Sequence, residues 1–194
     1  MYYFLIPLSL GFISNLASAF TTIYSEKWGK ECGTIITMLL RNAFGIPVWA
    51  FGYVLAVWET KDLLLQVSTL SQIIGWLIIS IGGMVIIIAL FTIKVKAAAP
   101  TTEDNLVRTG IYSLVRHPIH CGMVLEFTGL FVLWPSVTVG IASFIGFIWI
   151  YMQSRFEEKD LIRRIPDYKD YQKRVPRFIP NFKSMSYFIN SGNP

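Results

Sequence analysis

Residues 121–152 read CGMVLEFTGLFVLWPSVTVGIASFIGFIWIYM, an apolar stretch of 32 positions with Trp134-Pro135 at its centre and one charged side chain, Glu126. As a single helix it would run roughly 48 Å, well beyond a hydrocarbon core about 30 Å thick. Proline lacks the N–H that a helix interior needs, so the pattern predicts two short helices joined by a tight turn. A hairpin brings the flanking polar segments, 94–120 and 153–194, to one membrane face.

Working outward, Tyr2 to Tyr24 is apolar and lacks a basic start, so it is expected to be a mature membrane helix and not a signal peptide. A second span runs from Thr34 to Trp58, interrupted by Arg41, Asn42 and Pro47, and a third from Leu70 to Ile93. Trp28 and Trp58 suit interfacial positions. The expectation is an all-α integral membrane protein with five transmembrane helices. Residues 1–93 form a three-helix membrane region; residues 94–194 form a catalytic region of loop 94–120, helical hairpin 121–152 and tail 153–194.

Composition agrees. Hydrophobic residues make up 54% of the chain, charged residues only 15%, and mean hydropathy is +0.52, which excludes a large water-soluble domain. Fifteen Lys and Arg fall in 24–33, 94–120 and 153–194, whereas the opposite loops hold only Lys61. The positive-inside rule therefore places the amino terminus outside and the loop and tail in the cytosol. The net charge is +5, but the basic residues sit at membrane flanks and not in a stripe interleaved with aromatics, which points to membrane lipid as a partner and away from nucleic acid. Cys32 and Cys121 are the only cysteines, so no disulfide framework or C-x-x-C metal cluster is encoded, and no metal is expected.

Two charged residues enter the spans from the cytosolic side, Arg41 about 10 Å deep and Glu126 about 8 Å deep. Ionisable groups at such depth usually face the bundle interior, so the two are expected to be neighbours; snorkelling to the interface is the alternative, as good for Arg41 as pairing is. Gly82, Gly83, Gly140 and Gly146 read as helix contact points.

Residues 104–120, DNLVRTGIYSLVRHPIH, hold both histidines of the chain. Pro118 suits a helix start, whose free N–H groups can receive a carboxylate or phosphate. A loop that only touches lipid phosphate is an equally good reading, and two histidines three apart fall short of a metal site without further ligands. In the tail, Glu158, Leu161, Ile162 and Ile165 recur at helical spacing, so the last membrane helix is expected to continue to Pro166. Tyr168, Tyr171 and Val175 among Lys169, Lys173, Arg174 and Arg177 suggest a basic helix lying on the membrane surface. Glu157 and Glu158 are unfavourable near anionic lipid unless a cation such as Arg155 accompanies them. Residues 184–194 are expected to fray.

The run LVRTGIYSLVRHP, then the hairpin, then E-E-x-x-L, Y-x-x-Y-x-x-x-V-P and I-P resembles the isoprenylcysteine carboxyl methyltransferases and, more loosely, the phospholipid N-methyltransferases, over about 95–180. The resemblance implies S-adenosylmethionine as cofactor, held by Asp104, Asn105, Leu106, Val107, Tyr112, His117, Pro118, Ile119, His120 and Glu157. It also implies an arginine near the Glu pair facing a prenylated cysteine. Two departures stand out. The chain has His120 where the family usually has Tyr. The family's Arg precedes the first Glu by four residues, a position held here by Gln153; Arg155 lies about 160° away around the helix.

The chemistry fits the cofactor piece by piece. Its carboxylate suits Arg116, His117 and the helix start, and its cationic amine or sulfonium suits Glu157 or Glu158. A carboxyl-terminal carboxylate, with a pKa near 3.5, needs no general base, so Arg155 would suffice to align it. A phospholipid amine must lose a proton first, which would make Glu157 a base. The resemblance therefore implies methylation of a prenylcysteine carboxylate, with phospholipid N-methylation as the alternative enzyme and a non-enzymatic membrane scaffold as the alternative from another class.

Overall fold

The computed structural model describes residues 2–61, 63–93 and 106–191. Nine α-helices lie among the described residues: α1 (Leu5–Ala17), α2 (Thr21–Trp28), α3 (Lys30–Met38), α4 (Ile46–Trp58), α5 (Thr69–Ile93), α6 (Pro118–Leu133), α7 (Val137–Arg164), α8 (Tyr168–Arg174) and α9 (Phe182–Ser191). The described extended pairing is a single bridge between Leu63 and Ser136.

The hairpin forms where the proline demands it. Helix α6 stops at Leu133 and α7 begins at Val137, with Ser136 capping it by accepting from the Val139 amide at 3.3 Å. Helix α7 then runs 28 residues, about 42 Å, so its last turns stand clear of a bilayer. Helix α5 and the α3–α4 unit Lys30–Trp58, with 25 and 29 residues, are also long and apolar enough to cross.

The expected five spans become three, or four if a bent pair counts as one. The segment predicted as one helix from Tyr2 breaks by 63° between α1 and α2. Ser18 makes the break tolerable by donating its hydroxyl to the Asn15 carbonyl at 2.6 Å, and the Thr22 amide beyond it donates to Asp160 Oδ1 of α7 at 3.0 Å. Helix α6 has 16 residues, about 24 Å, shorter than a full crossing.

Small residues set the helix contacts. A Cβ on Gly82 would lie 2.7 Å from the Gly122 carbonyl, and one on Gly129 would lie 2.9 Å from the Gly75 carbonyl. These two pairs, seven residues apart on antiparallel helices, hold α5 against α6 at backbone distance. The aromatic core lies where α1, α4, α6 and α7 meet. There Phe12 stacks on Trp149 at 4.6 Å, Tyr53 stacks on Phe127 at 4.6 Å, and the Tyr53 hydroxyl donates to the Ala142 carbonyl at 2.9 Å.

The two ends of the bundle differ. At the hairpin end, the Leu64 amide donates to the Pro135 carbonyl at 2.6 Å and the Phe4 amide to Glu59 at 3.1 Å. At the other end, the Arg116 amide donates to the Pro176 carbonyl at 2.9 Å, the His117 amide to Arg177 at 3.2 Å, and Cys121 Sγ to the Phe178 carbonyl at 3.2 Å. Loop and tail therefore close over each other on one face. The tail departs from the sequence reading in two places. The tyrosine face of α8 packs onto the protein with Val175, Leu106, Leu161 and Ile165, and helix α9 extends where fraying was expected.

Candidate active site

Under this roof lies a cavity of about 450 Å³. A five-residue π-helical stretch, Leu39–Ala43, carries Arg41 to its wall; such stretches are frequent at functional sites because they turn a side chain out of the regular helical register. The Arg41-Asn42-Pro47 interruption in the second span was the sequence's trace of it.

Adjacent residues Glu157 and Glu158 face different surroundings. Glu158 is buried, with its side chain 5% exposed, and is saturated with donors. Arg116 Nε donates to it at 2.9 Å, His117 Nε2 lies at 3.1 Å, Arg177 Nη2 at 2.6 Å and Gln172 Nε2 at 3.1 Å. Arg116 also donates to the Gln172 and Val175 carbonyls, tying the loop to the tail backbone. The hydrogen bond to Glu158 raises the Arg177 pKa.

Glu157 lines the cavity. Gln153 Nε2 donates to its Oε1 at 2.8 Å, Arg41 Nη2 lies 3.7 Å from the same oxygen, and His117 Nδ1 lies 3.6 Å from Oε2. Burial alone would lower the His117 pKa; hydrogen bonds and charge from Glu157 and Glu158 outweigh it, and the value is raised. Burial, helped by the Glu157 charge, raises that of Tyr112. The His120 ring stacks beside His117 with centroids 5.3 Å apart and meets Trp149 edge-on.

Of the residues singled out from sequence, Leu106, Val107, Tyr112, Arg116, His117 and Pro118 line the cavity, as do Ile119, His120 and Glu157. Asp104 and Asn105 lie outside the described residues. Glu158 stands behind the lining, and Arg155 is exposed on the opposite face of α7, so neither side chain forms the cavity wall. Gln153, which holds the family's arginine position, is 1% exposed and touches Glu157. Arg41 and Glu126 line the same cavity, as their matched depths implied; the arginine pairs with Glu157, while Glu126 lies against Gly82 and Gly83. Sequence reading passed over Asn15, Trp49, Trp149 and Asp160, which complete the walls. Asn15 was legible as a polar residue in an apolar stretch; Asp160, inside the charged run 157–164, and the tryptophans carried no distinguishing signal.

A model of the phospholipid methyltransferase family matches residues 70–169, more than half of the chain, and the protein belongs to that family. The match runs from α5 through the hairpin to the start of α8, which supply part of the cavity wall; α1, α4 and the π-helical stretch with Arg41 lie outside it. Among curated relatives, methanethiol S-methyltransferase of Pseudomonas deceptionensis is 30% identical over 140 residues, covering 66% of this chain and 51% of its own. Methanethiol S-methyltransferase 2 of Bradyrhizobium diazoefficiens is 28% identical over 144 residues, 65% of this chain and 54% of the relative. The nickel-cobalt-cadmium resistance protein NccN of Alcaligenes xylosoxydans xylosoxydans is 33% identical over 96 residues, 47% and 45% of the two chains. The chain spans about half the length of these relatives. No solved structure gives a significant match.

Proposed function

We propose that the protein is a membrane methyltransferase that moves a methyl group from S-adenosylmethionine to an anionic acceptor within the cavity. The observation that carries this reading is the cavity's make-up: both signs of charge at its polar end, aromatic rings beside them, and apolar walls from the spans. The carboxylate of the cofactor suits Arg116 and the start of α6, its cationic groups suit Glu157 and Asp160, and its adenine suits Tyr112, Tyr168 and Leu106. When bound, the cofactor supplies an electrophilic methyl group on a sulfonium. Arg41 would then hold the negative charge of an acceptor carboxylate, or of a thiolate whose proton has passed to solvent before the transfer, and Trp49 and Trp149 would exclude water. The methyl–sulfonium bond breaks as the new bond to the acceptor forms, leaving S-adenosylhomocysteine.

The acceptor that fits the cavity best is a small thiol. A volume of about 450 Å³ lies near the low end of the roughly 300–1,000 Å³ typical of ligand sites, and the cofactor takes most of it. Similarity to methanethiol S-methyltransferases over two thirds of the chain supports this choice. The carboxylate of a prenylated cysteine is the second reading, supported by Ile46, Ile86 and Leu90, which would lead a prenyl tail sideways between the spans. A phospholipid amine fits less well, because Arg41 beside Glu157 favours its charged carboxylate over the protonated form that a general base must reach.

The test supplies methyl-labelled cofactor with a short alkanethiol, a farnesylated cysteine analogue or phosphatidylethanolamine. A labelled volatile thioether identifies the thiol, alkali-released methanol identifies an ester, and alkali-stable lipid label identifies N-methylation. In detergent, S-adenosylhomocysteine at a hundred times its Kd should raise Tm by roughly 5 to 10 °C. The shift should vanish in His117→Ala and Glu157→Ala, and a flat response in the unmodified protein would identify a scaffold. The reading places loop and tail in the cytosol, and protease protection of both from the cytosolic side would overturn that orientation.

A further inference from the structure

Two histidines three residues apart and a glutamate from α7 meet at the polar end of the cavity. One ligand atom each from His117, His120 and Glu157 lies within 4.8 Å of the others. Ligands about 2.0 to 2.1 Å from a tetrahedral ion sit roughly 3.3 Å from one another, and the 3.6 Å between His117 Nδ1 and Glu157 Oε2 is already close to that. His120 supplies a second observation. It is 7% exposed, lines the cavity, and its Nδ1 is buried without a hydrogen-bond partner among the described residues. A buried ring nitrogen left unsatisfied beside a histidine and a carboxylate calls for a ligand.

We propose that His117, His120 and Glu157 bind one divalent ion of the zinc and cobalt class, with a fourth coordination position open to the cavity. Two imidazoles and one carboxylate select such borderline ions over magnesium or calcium, which take oxygen ligands. The surroundings are those of a prepared ligand. Histidines on metals present their other ring nitrogen to a carboxylate, and His117 Nε2 lies 3.1 Å from Glu158, itself fixed by Arg116, Arg177 and Gln172. That contact orients His117 Nδ1 toward Glu157. Glu157 offers Oε2 to the ion while Gln153 and Arg41 hold Oε1. Sequence alone supplied only two histidines; the third donor arrives from α7. The site rests on the geometry of this cluster and not on the proposed methyl transfer; since His117 and Glu157 also serve cofactor binding in that reading, a bound ion takes the place of those contacts.

The purified full-length protein, stripped by a chelator, is titrated with Co²⁺ in detergent. The expected result is one Co²⁺ per chain, with the intense visible absorption of a four-coordinate site, displaced by one equivalent of Zn²⁺. His120→Ala should weaken binding at least about tenfold and remove the four-coordinate spectrum. His120→Phe, which keeps a ring against His117 and Trp149 but offers no ligating nitrogen, should lose the spectrum in the same way with its metal-free Tm within about 4 °C, which separates ligand loss from misfolding. Cys121→Ser should bind as the unmodified protein does. Absence of uptake, a six-coordinate spectrum only, equal binding by His120→Ala, or loss of the spectrum in Cys121→Ser would each overturn the proposal.

Discussion

Glu157 and Glu158 are neighbours on one helix, yet they belong to regions built on opposite principles. Around Glu158, two guanidinium groups, an imidazole and an amide all bond one buried carboxylate, and that carboxylate joins the loop before α6 to the tail after α7. Around Glu157, Gln153 donates to one oxygen at 2.8 Å while Arg41 stands off at 3.7 Å and His117 at 3.6 Å, and the nearby His120 Nδ1 has no hydrogen-bond partner among the described residues. A hub with every valence filled has nothing left to offer a ligand. A floor with valences to spare has, and it lines the cavity. Saturation thus separates the glutamate that ties loop to tail from the one left facing the cavity.

The largest effect should come from emptying the hub. Glu158→Ala would leave Arg116 and Arg177 under the roof without their counter-ion; loss of one partner of a buried pair typically costs about 3 to 5 kcal/mol. For a chain of this length that is a fall in Tm of roughly 6 to 20 °C, read by thermal unfolding in detergent. A variant that melts within 2 °C of the unmodified protein, on the same roughly 2–4 °C per kcal/mol scale, would show that the roof is held elsewhere.

Glu157→Gln tests the other region and should change binding, not folding. The amide keeps the shape and the contact with Gln153 while removing the charge, so Tm should move by no more than about 2 °C, as expected for an ion pair near 3.7 Å. Affinity for S-adenosylhomocysteine, measured by calorimetry, should fall at least about tenfold, the usual worth of a hydrogen-bonded charge pair. A variant that loses fold and binding together would erase the distinction between the two glutamates.

Gln172→Ala sharpens the comparison from within the hub. It removes one of several donors, the 3.1 Å bond to Glu158 Oε2, so about 1 kcal/mol and a fall of roughly 2 to 4 °C are expected, with cofactor affinity unchanged. A tenfold loss of affinity in this variant would mean that the hub also binds.

Much of this was legible in sequence because membranes impose coarse rules. The Trp134-Pro135 step predicted the hairpin, and the hairpin predicted that loop and tail would share a face, which the Arg116-to-Pro176 and His117-to-Arg177 backbone bonds now display. Most of the named loop residues line the cavity for the same reason. Other features had no one-dimensional signature. The 63° bend between α1 and α2 is accompanied by the Ser18 hydroxyl on the Asn15 carbonyl and by the Thr22 amide on Asp160, the second a contact spanning most of the chain, and an apolar count cannot register it. The α5–α6 contact depends on Gly75 opposite Gly129 and Gly82 opposite Gly122, so the pairing exists only once the helices are antiparallel. Matched depth predicted Arg41 and Glu126 as neighbours; both line the cavity, but Arg41 pairs with Glu157, because α7, expected to run on to Pro166, turns that acid toward Arg41 in a helix packing that depth alone does not define.

Arg155 gives the smallest expected effect and the sharpest test of that difference. From sequence it was the available cation beside the Glu pair, and the resemblance implied that such an arginine faces the acceptor. A step of two residues around a helix turns a side chain by about 160°, so if Glu157 points into the cavity Arg155 points out of it. The structure places it so, exposed on the outer face of α7, while Arg41 brings positive charge to the cavity from a different helix. Arg155→Ala should therefore leave Tm within about 2 °C and turnover of the labelled cofactor within about twofold, as for other exposed positions. Arg41→Ala should lower turnover at least tenfold, roughly 1.4 kcal/mol, with Tm nearly unchanged. If the two arginines exchange these outcomes, charge on the outer face reaches the acceptor, and the assignment of the cavity as its binding place fails.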